Sequence, residues 1–261
     1  MFPYASAVLA ACLFSGCVTE GIVPAGRAEL KERFSEGSFQ SSGGVVLKAR
    51  LFAPEVPAGA KVPLVVYLHG AGQNGDDNER QLDGGVGCLY SFQRGRPDYA
   101  AYLLAPQCPA GSFWRDPEVL ETLEELVESA ASWPGVDPDR VYVTGFSMGG
   151  DASWKLVLAR PDLFAAAVPV CGGPLASMEP DVPDVPAGLS DVAVWAFNAF
   201  DDGVVRPAFS KRVFAELWSR GDPSERHNFT ETVSGGHDAG PVYGDRDVWI
   251  WMMSASRKEG R

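Results

Sequence analysis

Short apolar runs alternate with helical patterns along most of this 261-residue chain. Residues 64–68, 102–105 and 141–146 are largely apolar runs, which is typical of strands buried on both faces of a sheet. Residues 117–130 instead repeat apolar residues at helical spacing, behind Asp116-Pro117, a pair that favours a helix start. Further strands are predicted at 45–52, 164–170, 192–197 and 228–233, and further helices at 152–160, 208–220 and 242–253. The alternation predicts one α/β domain, with a mostly parallel central sheet and helices on both faces.

Composition and net charge argue against a disordered chain and against a nucleic-acid partner. Hydrophobic residues make up 46% of the chain, which argues against intrinsic disorder. The formal net charge is −12, and no basic cluster stands out. Because an acidic surface repels phosphate backbones, we expect no nucleic-acid partner.

The first residues are expected to be a leader that lies outside the fold. Residues 5–16 form an apolar run that is too short to span a bilayer as a helix but has the length of a signal-peptide core. The run leads into Cys17 through Phe14-Ser15-Gly16, which resembles a bacterial lipobox, although Phe14 stands where Leu is usual and residues 1–6 carry no Lys or Arg. We therefore expect export, with the protein either secreted or tethered to a membrane through a lipidated Cys17. The alternative is an apolar N-terminal tail or a misassigned start.

The chain has five cysteines, and two of them, Cys12 and Cys17, lie in the predicted leader. Export would permit one disulfide among Cys88, Cys108 and Cys171, in any of three pairings. No C-x-x-C pair or His/Cys cluster indicates a metal site, and we expect no metal and no cofactor.

The strongest chemical signal is the run Gly145-Phe146-Ser147-Met148-Gly149-Gly150. It matches G-x-S-x-G and stands between a predicted strand and a predicted helix, which is the context that a nucleophile elbow requires. The serine hydroxyl would stand at a helix N-terminus, where the helix dipole favours developing negative charge. We predict that Ser147 is the nucleophile of a hydrolase. The alternative is a tight turn with an incidental serine.

A serine hydroxyl needs a base at neutral pH, and the chain offers three histidines. His69 precedes Ser147 and ends an early strand, His227 begins a strand, and His237 follows the last strand in a glycine-containing loop. Because the triad order in this fold is Ser, acid, His, we predict His237 as the base and His227 as a core or surface residue.

The acid of the triad is expected in the loop that follows the strand at 192–197. That loop supplies two adjacent aspartates, Asp201 and Asp202, and spacing alone leaves both open. The other aspartate would be a solvated turn residue.

The oxyanion hole requires two backbone N–H donors. One is expected at Met148, the residue after the nucleophile. The other is expected in the turn at residues 69–75, where Ala71 is the first candidate and Gly72 the next. The alternative for this turn is a flexible glycine-containing connection.

Taken in order, these motifs resemble the bacterial α/β-hydrolases grouped as predicted peptidases or carboxylesterases, near polyhydroxybutyrate-depolymerase and feruloyl-esterase-like enzymes. The resemblance runs from about residue 45 to residue 253 and rests on Tyr67-Leu68-His69-Gly70-Ala71-Gly72, Ala105-Pro106-Gln107-Cys108-Pro109 with Trp114, residues 137–150, and Gly236-His237-Asp238. It implies the α/β-hydrolase fold. The group usually reads H-G-x-x-D-x-x-V after its seventh strand, and this spacing places the acid at Asp202.

The resemblance also suggests substrate contacts, with two departures. Trp114 and Gln107, which lie in the shared motifs, are taken as substrate-binding residues. The group's His-Gly is Asn198-Ala199 here, and Gly240 stands where a Trp commonly follows the catalytic histidine, so the acyl pocket is expected to be altered or more open. Phe113, Trp114 and Trp154 either line an aromatic pocket or lie in the core.

Together these observations predict a serine-dependent carboxylic-ester hydrolase that acts on a small-molecule or polymer-derived ester. The alternatives are an acyltransferase or peptidase that uses the same triad, and an inactive hydrolase-fold lipoprotein that only binds a ligand. The expected domains are a signal peptide or lipoprotein leader at 1–17, a lead-in segment at 18–37 and the catalytic domain at 38–261.

Overall fold

The computed structural model describes residues 21–178, 184–221 and 225–257. The predicted leader at 1–17, with Cys17, therefore lies outside the described residues. No helix within the described ranges has the length and apolar character needed to cross a membrane.

The described residues form one eight-stranded sheet with the strand order β1-β2-β4-β3-β5-β6-β7-β8. The strands are β1 (Ser35–Gln40), β2 (Val46–Phe52), β3 (Val62–Leu68), β4 (Tyr102–Gln107), β5 (Val136–Phe146), β6 (Ala166–Val170), β7 (Ala193–Ala199) and β8 (His227–Thr232). β2 is antiparallel to both of its neighbours, and all strand pairs from β4 to β8 are parallel. The predicted α/β-hydrolase fold class, with its mostly parallel sheet, is confirmed.

Helices cover both faces of this sheet. They are α1 (Arg27–Arg33), α2 (Gly85–Gln93), α3 (Pro117–Ala131), α4 (Met148–Ala159), α5 (Ala208–Ser219), α6 (Gly240–Tyr243) and α7 (Arg246–Ser254). The apolar sides of α3, α4 and α5 pack on one face, whereas α1, α2, α6 and α7 pack on the other. The central strands are therefore buried on both faces, which explains their continuous apolar sequences.

Where the structure describes it, the segment at 18–37 packs as part of the fold and contributes α1 and the start of β1. Leu30 and Phe34 are buried in the core, and β1 pairs with β2 from Ser35↔Leu51 to Gln40↔Val46. The predicted domain boundary at residue 37 thus falls inside a strand. β1 is an edge strand whose side chains are mostly exposed, so its sequence lacks the apolar run that marks a buried strand.

Several helices differ from their predictions: α1 was not predicted, and α4 begins at Met148 instead of at residue 152. The helix predicted at 242–253 is split into α6 and α7, because Asp245 caps α7 by accepting a hydrogen bond from the Asp247 amide. The sequence did not predict α2, in which Gly85 and Gly87 lower helix propensity. Tertiary packing stabilises it instead, since nearly every residue of α2 is buried.

Candidate active site

Ser147 lies in the one-residue turn between β5 and α4. Its backbone has φ 57° and ψ −116°, a conformation that is strained for a non-glycine residue. The Ser147 amide donates to the carbonyl of Val170, at the end of the neighbouring β6. The turn therefore has the strained strand-to-helix geometry of a nucleophile elbow.

Close packing explains the glycines around Ser147. A Cβ atom on Gly149 would lie 1.9 Å from the carbonyl oxygen of Leu68, and one on Gly145 would lie 2.4 Å from the carbonyl oxygen of Gly149. Both distances are shorter than any real contact. Because β3, β5 and the first turn of α4 meet here, only glycine fits at either position.

His237 connects Ser147 to Asp202 through two hydrogen bonds. Nε2 of His237 lies 2.7 Å from Ser147 Oγ, and Nδ1 lies 2.8 Å from Asp202 Oδ2. Since a carboxylate only accepts, Nδ1 must donate, which leaves Nε2 of the neutral ring to accept the Ser147 hydroxyl proton. The ring of Phe146 packs against the imidazole, with the ring centres 4.8 Å apart.

The two adjacent aspartates have different partners. The Asp202 side chain is fully buried, and its Oδ1 accepts from the amides of Val204 and Val205 at 2.8 and 2.9 Å. Asp201 is exposed, but its carboxylate accepts from the amides of Gly235 and Gly236. Asp202 therefore contacts the imidazole. Asp201 holds the backbone of the loop that carries His237, a contact that the expected solvated turn residue would not make.

The rings of the other two histidines bond to groups other than Ser147. His227 is buried at the start of β8, with Nε2 3.0 Å from the carbonyl oxygen of Val192. His69 is fully buried, donates from Nδ1 to the Gly70 carbonyl, and accepts from the Cys108 amide at Nε2. Burial lowers the pKa of His69 to about 4, so its imidazole is neutral and fixed in one tautomer.

Of the two predicted oxyanion donors, one belongs to the elbow and the other to a neighbouring turn. Met148 is the first residue of α4, where the amide has no preceding helical carbonyl to pair with. Ala71 begins a short 3-10 turn directly after β3. A Cβ atom on Gly70 would lie 3.4 Å from the Phe146 ring, so the turn that carries Ala71 packs against the elbow.

The structure does not support a substrate-binding role for Trp114 or Gln107. Trp114 is fully buried, packs against the His69 ring and donates from Nε1 to the His69 carbonyl. Gln107 is also buried and bonds to the backbone of Gln73, the amide of Asn78 and the carboxylate of Asp77. Both side chains therefore brace the turn that carries Ala71. Sequence resemblance marked them as special without revealing that they face inward.

Comparison with known proteins finds hydrolases of the same fold. The Dienelactone hydrolase family matches residues 110–232, which include Ser147 and Asp202 and end before His237. A solved structure described as a thermostable esterase is 30% identical, has a TM-score of 0.75, and aligns over 87% of this chain and 64% of its own. The chain is an α/β-hydrolase in fold and is similar to esterases.

Other relatives of this α/β-hydrolase are more distant or longer. Poly(3-hydroxyalkanoate) depolymerase C from Paucimonas lemoignei is 29% identical over 172 residues, which cover 56% of this chain and 39% of the depolymerase. This α/β-hydrolase thus spans well under half the length of that curated relative. S-formylglutathione hydrolase from Staphylococcus aureus shares the fold, with a TM-score of 0.60 at 16% identity, over 84% of this chain and 98% of its own.

The thiols of this α/β-hydrolase differ from expectation in two ways. Cys88, Cys108 and Cys171 are free and buried, so the disulfide that export would permit is not formed among them. In addition, Sγ of Cys171 and the nearest ligand atoms of Asp202 and His237 all lie within 4.8 Å of one another. No local motif predicts this cluster, because β6, β7 and β8 bring together residues that are distant in the chain.

Proposed function

We propose that this chain is a serine-dependent carboxylic-ester hydrolase that works through an acyl-enzyme. The observation that carries the proposal is the hydrogen-bond chain from Ser147 Oγ through His237 to Asp202, at 2.7 and 2.8 Å. The first distance is within the reach needed to pass a proton from nucleophile to base, and the second allows Asp202 to orient the imidazole. A depolymerase and an esterase among the relatives support an ester as the bond that is cleaved.

In the proposed acylation step, Ser147 Oγ attacks the ester carbonyl while His237 Nε2 takes its proton. Asp202 orients the ring through Nδ1 and stabilises the imidazolium that forms. The amides of Met148 and Ala71 stabilise the negative charge on the carbonyl oxygen. The alcohol leaves with the proton from Nε2, and the acyl group remains on Ser147.

In the proposed deacylation step, water replaces the alcohol. His237 takes a proton from the water, whose oxygen attacks the acyl carbon. The same two amides stabilise the second tetrahedral intermediate. When it collapses, the carboxylic acid is released and Ser147 recovers its proton from His237, so the cycle needs no cofactor.

Exposed apolar side chains on loops at the carboxyl edge of the sheet support an apolar group in the substrate. They are Phe113 after β4, Leu175 and Met178 after β6, and Phe200 and Val204 after β7. These loops contact one another: Arg115 Nη1 donates to Met178 Sδ, and the Ala176 amide donates to the Val204 carbonyl. Exposed apolar side chains on loops that contact one another are candidates for a binding surface. We call these five residues the apolar rim.

A panel of p-nitrophenyl esters with graded acyl length tests the function. The wild-type protein should hydrolyse them, with kcat/KM rising with acyl length as the apolar rim is covered. Ser147→Ala should lower kcat by about a million-fold while its circular dichroism is unchanged. Hydrolysis that survives in a clean preparation of the variant, or no hydrolysis of any ester by the wild type, would contradict the proposal.

We also propose that residues 1–17 direct export and that lipid on Cys17 tethers the mature protein to a membrane. The apolar run at 5–16 and the lipobox-like residues before Cys17 support this. Growth with a labelled fatty acid should label the wild type but not Cys17→Ala. Equal labelling of both would exclude the lipid anchor, and retention of the intact leader in the cytoplasm would exclude export.

A further inference from the structure

We propose that Cys171, Asp202 and His237 form an inhibitory binding site for a thiophilic divalent cation such as Zn²⁺ or Cd²⁺. Three different side chains supply one ligand atom each: a sulfur, a carboxylate oxygen and an imidazole nitrogen. These atoms lie within 4.8 Å of one another, and all three come from loops that follow adjacent strands of one sheet.

The spacing suits a tetrahedral cation with one open position. Zn²⁺ binds sulfur at about 2.3 Å and nitrogen or oxygen at about 2.0 Å, so its ligand atoms must lie roughly 3 to 4 Å apart. His237 Nδ1 and Asp202 Oδ2 are already 2.8 Å apart, and only a small outward shift is needed. The thiol favours a soft or borderline cation, which excludes hard cations such as Mg²⁺.

Charge and protons balance when the cation binds. In the metal-free site the buried Cys171 thiol donates its S–H proton in a hydrogen bond to Asp202. The cation displaces that proton to solvent and binds the thiolate and the carboxylate, whose two negative charges neutralise it. The nearby charge of Asp238 further favours a cation.

Binding at Nδ1 would stop catalysis by changing the tautomer of His237. The Nδ1 proton must leave, and in the neutral ring it is carried instead by Nε2. Nε2 then cannot accept the proton of Ser147 Oγ, which lies 2.7 Å away. This step rests on the proposed function, whereas the binding site itself does not.

A cavity that is lined in part by the loop carrying His237 borders Cys171. It has a volume of about 100 Å³, and its lining includes Cys171, Gly235, Gly236 and Asp238. Cys171 itself is only 2% exposed, so the proposed site requires the cation to enter through this cavity. The Cys171 thiol also lies 3.7 Å from the Asp238 carbonyl oxygen, directly beside the backbone of His237.

Titration of the full-length protein with Cd²⁺ tests the site in two ways. Ester hydrolysis should be lost as Cd²⁺ is added and restored by a chelator, and Mg²⁺ should have no effect. A thiolate-to-cadmium ultraviolet absorption band should appear at the same concentrations, and it requires no enzymatic activity. The inactive variant Ser147→Ala should show the same band as the wild type.

Cys171→Ser is the decisive variant, because a hydroxyl binds thiophilic cations poorly but can replace the thiol as a donor to Asp202. It should still hydrolyse esters and need at least about a hundredfold more Cd²⁺ for inhibition. Its thiolate-to-cadmium absorption should be smaller by the contribution of one thiolate. Cys88→Ser and Cys108→Ser should behave like the wild type. Equal inhibition of the wild type and Cys171→Ser would overturn the proposal.

If Cys171→Ser does not fold, a second pair of variants tests whether the cation binds at this site. His237→Gln keeps all thiols but lacks the nitrogen ligand, and should need at least about tenfold more Cd²⁺ than Ser147→Ala to develop the band. Equal titrations of these two variants would overturn the site. A band without any esterase activity in the wild type would instead contradict only the proposed function.

Discussion

The two aspartates that follow β7 accept hydrogen bonds from different donors. Asp202 Oδ2 accepts from the imidazole, whereas Asp201 accepts only from loop amides. In Asp202→Asn, an amide nitrogen facing Nδ1 would favour the wrong tautomer, so we expect kcat to fall about ten-thousand-fold. Asp201→Asn keeps an acceptor for the Gly236 amide and should lose less than about tenfold. Steady-state kinetics of both variants check this, and the reverse order would assign the acid to Asp201.

The three histidines also allow a matched comparison. His237→Gln should abolish ester hydrolysis at unchanged stability, because His237 Nε2 lies 2.7 Å from Ser147 Oγ and acts as the base. His227→Gln should mainly lower the free energy of unfolding, since the His227 side chain is buried against the Val192 carbonyl. Kinetics and chemical denaturation of both variants separate the two roles. An inactive His227→Gln beside an active His237→Gln would contradict the assignment.

His69 predicts a pH dependence of stability. Its pKa is about 4 in the folded chain and about 6.5 when solvated, so the folded state binds fewer protons between these values. The contribution is fully present above pH 6.5 and is lost as pH falls to 4, by about 3 kcal/mol in total. Urea denaturation at pH 7, 5.5 and 4 should show this loss. The slope should be smaller in His69→Gln, and an identical slope would show that His69 does not cause it.

At the scale of elements, the apolar rim joins the loops after β4, β6 and β7. Phe113→Ser and Met178→Ser should each lower kcat/KM for the longest active ester more than for the acetate, because they remove apolar contact with the acyl chain. Ile250→Ser, which alters an exposed apolar residue on α7, is the matched control and should change neither value. Equal losses for short and long esters would show that the rim does not bind the acyl group.

Sequence patterns predicted most of the sheet and missed several elements around it. β3 through β7 were predicted because burial on both faces requires continuous apolar runs. β1 was not predicted as a strand because it is an exposed edge strand. α2 was not predicted as a helix because its glycines lower helix propensity, and tertiary packing stabilises it instead. The split between α6 and α7 depends on the Asp245 cap, a local signal within an otherwise apolar segment.

The residues of the candidate site also differ in whether the sequence could predict them. Ser147, His237 and the elbow glycines were predictable because a strained turn and a fixed chain order leave few alternatives. The choice of Asp202 needed family spacing, and the inward orientation of Trp114 and Gln107 could not be inferred from a motif. The cluster of Cys171 with Asp202 and His237 depends on which strands are neighbours, so it emerges only from the three-dimensional fold.

At the scale of the whole molecule, one sheet edge gathers every group that the proposed reaction needs. Ser147 follows β5, Asp202 follows β7 and His237 follows β8, while the turn that carries Ala71 follows β3. Because parallel strands end at the same edge, residues that are up to 166 positions apart in the sequence (71 to 237) meet around Ser147. The reactivity of Ser147 therefore tests the fold and the site together.

Mass spectrometry of the intact protein after treatment with a fluorophosphonate tests this reactivity most directly. The account predicts a single adduct, located on Ser147 by peptide mapping, that is absent in Ser147→Ala and strongly slowed in His237→Gln. An adduct of equal rate and stoichiometry in Ser147→Ala, or no adduct on the folded wild-type protein, would contradict it.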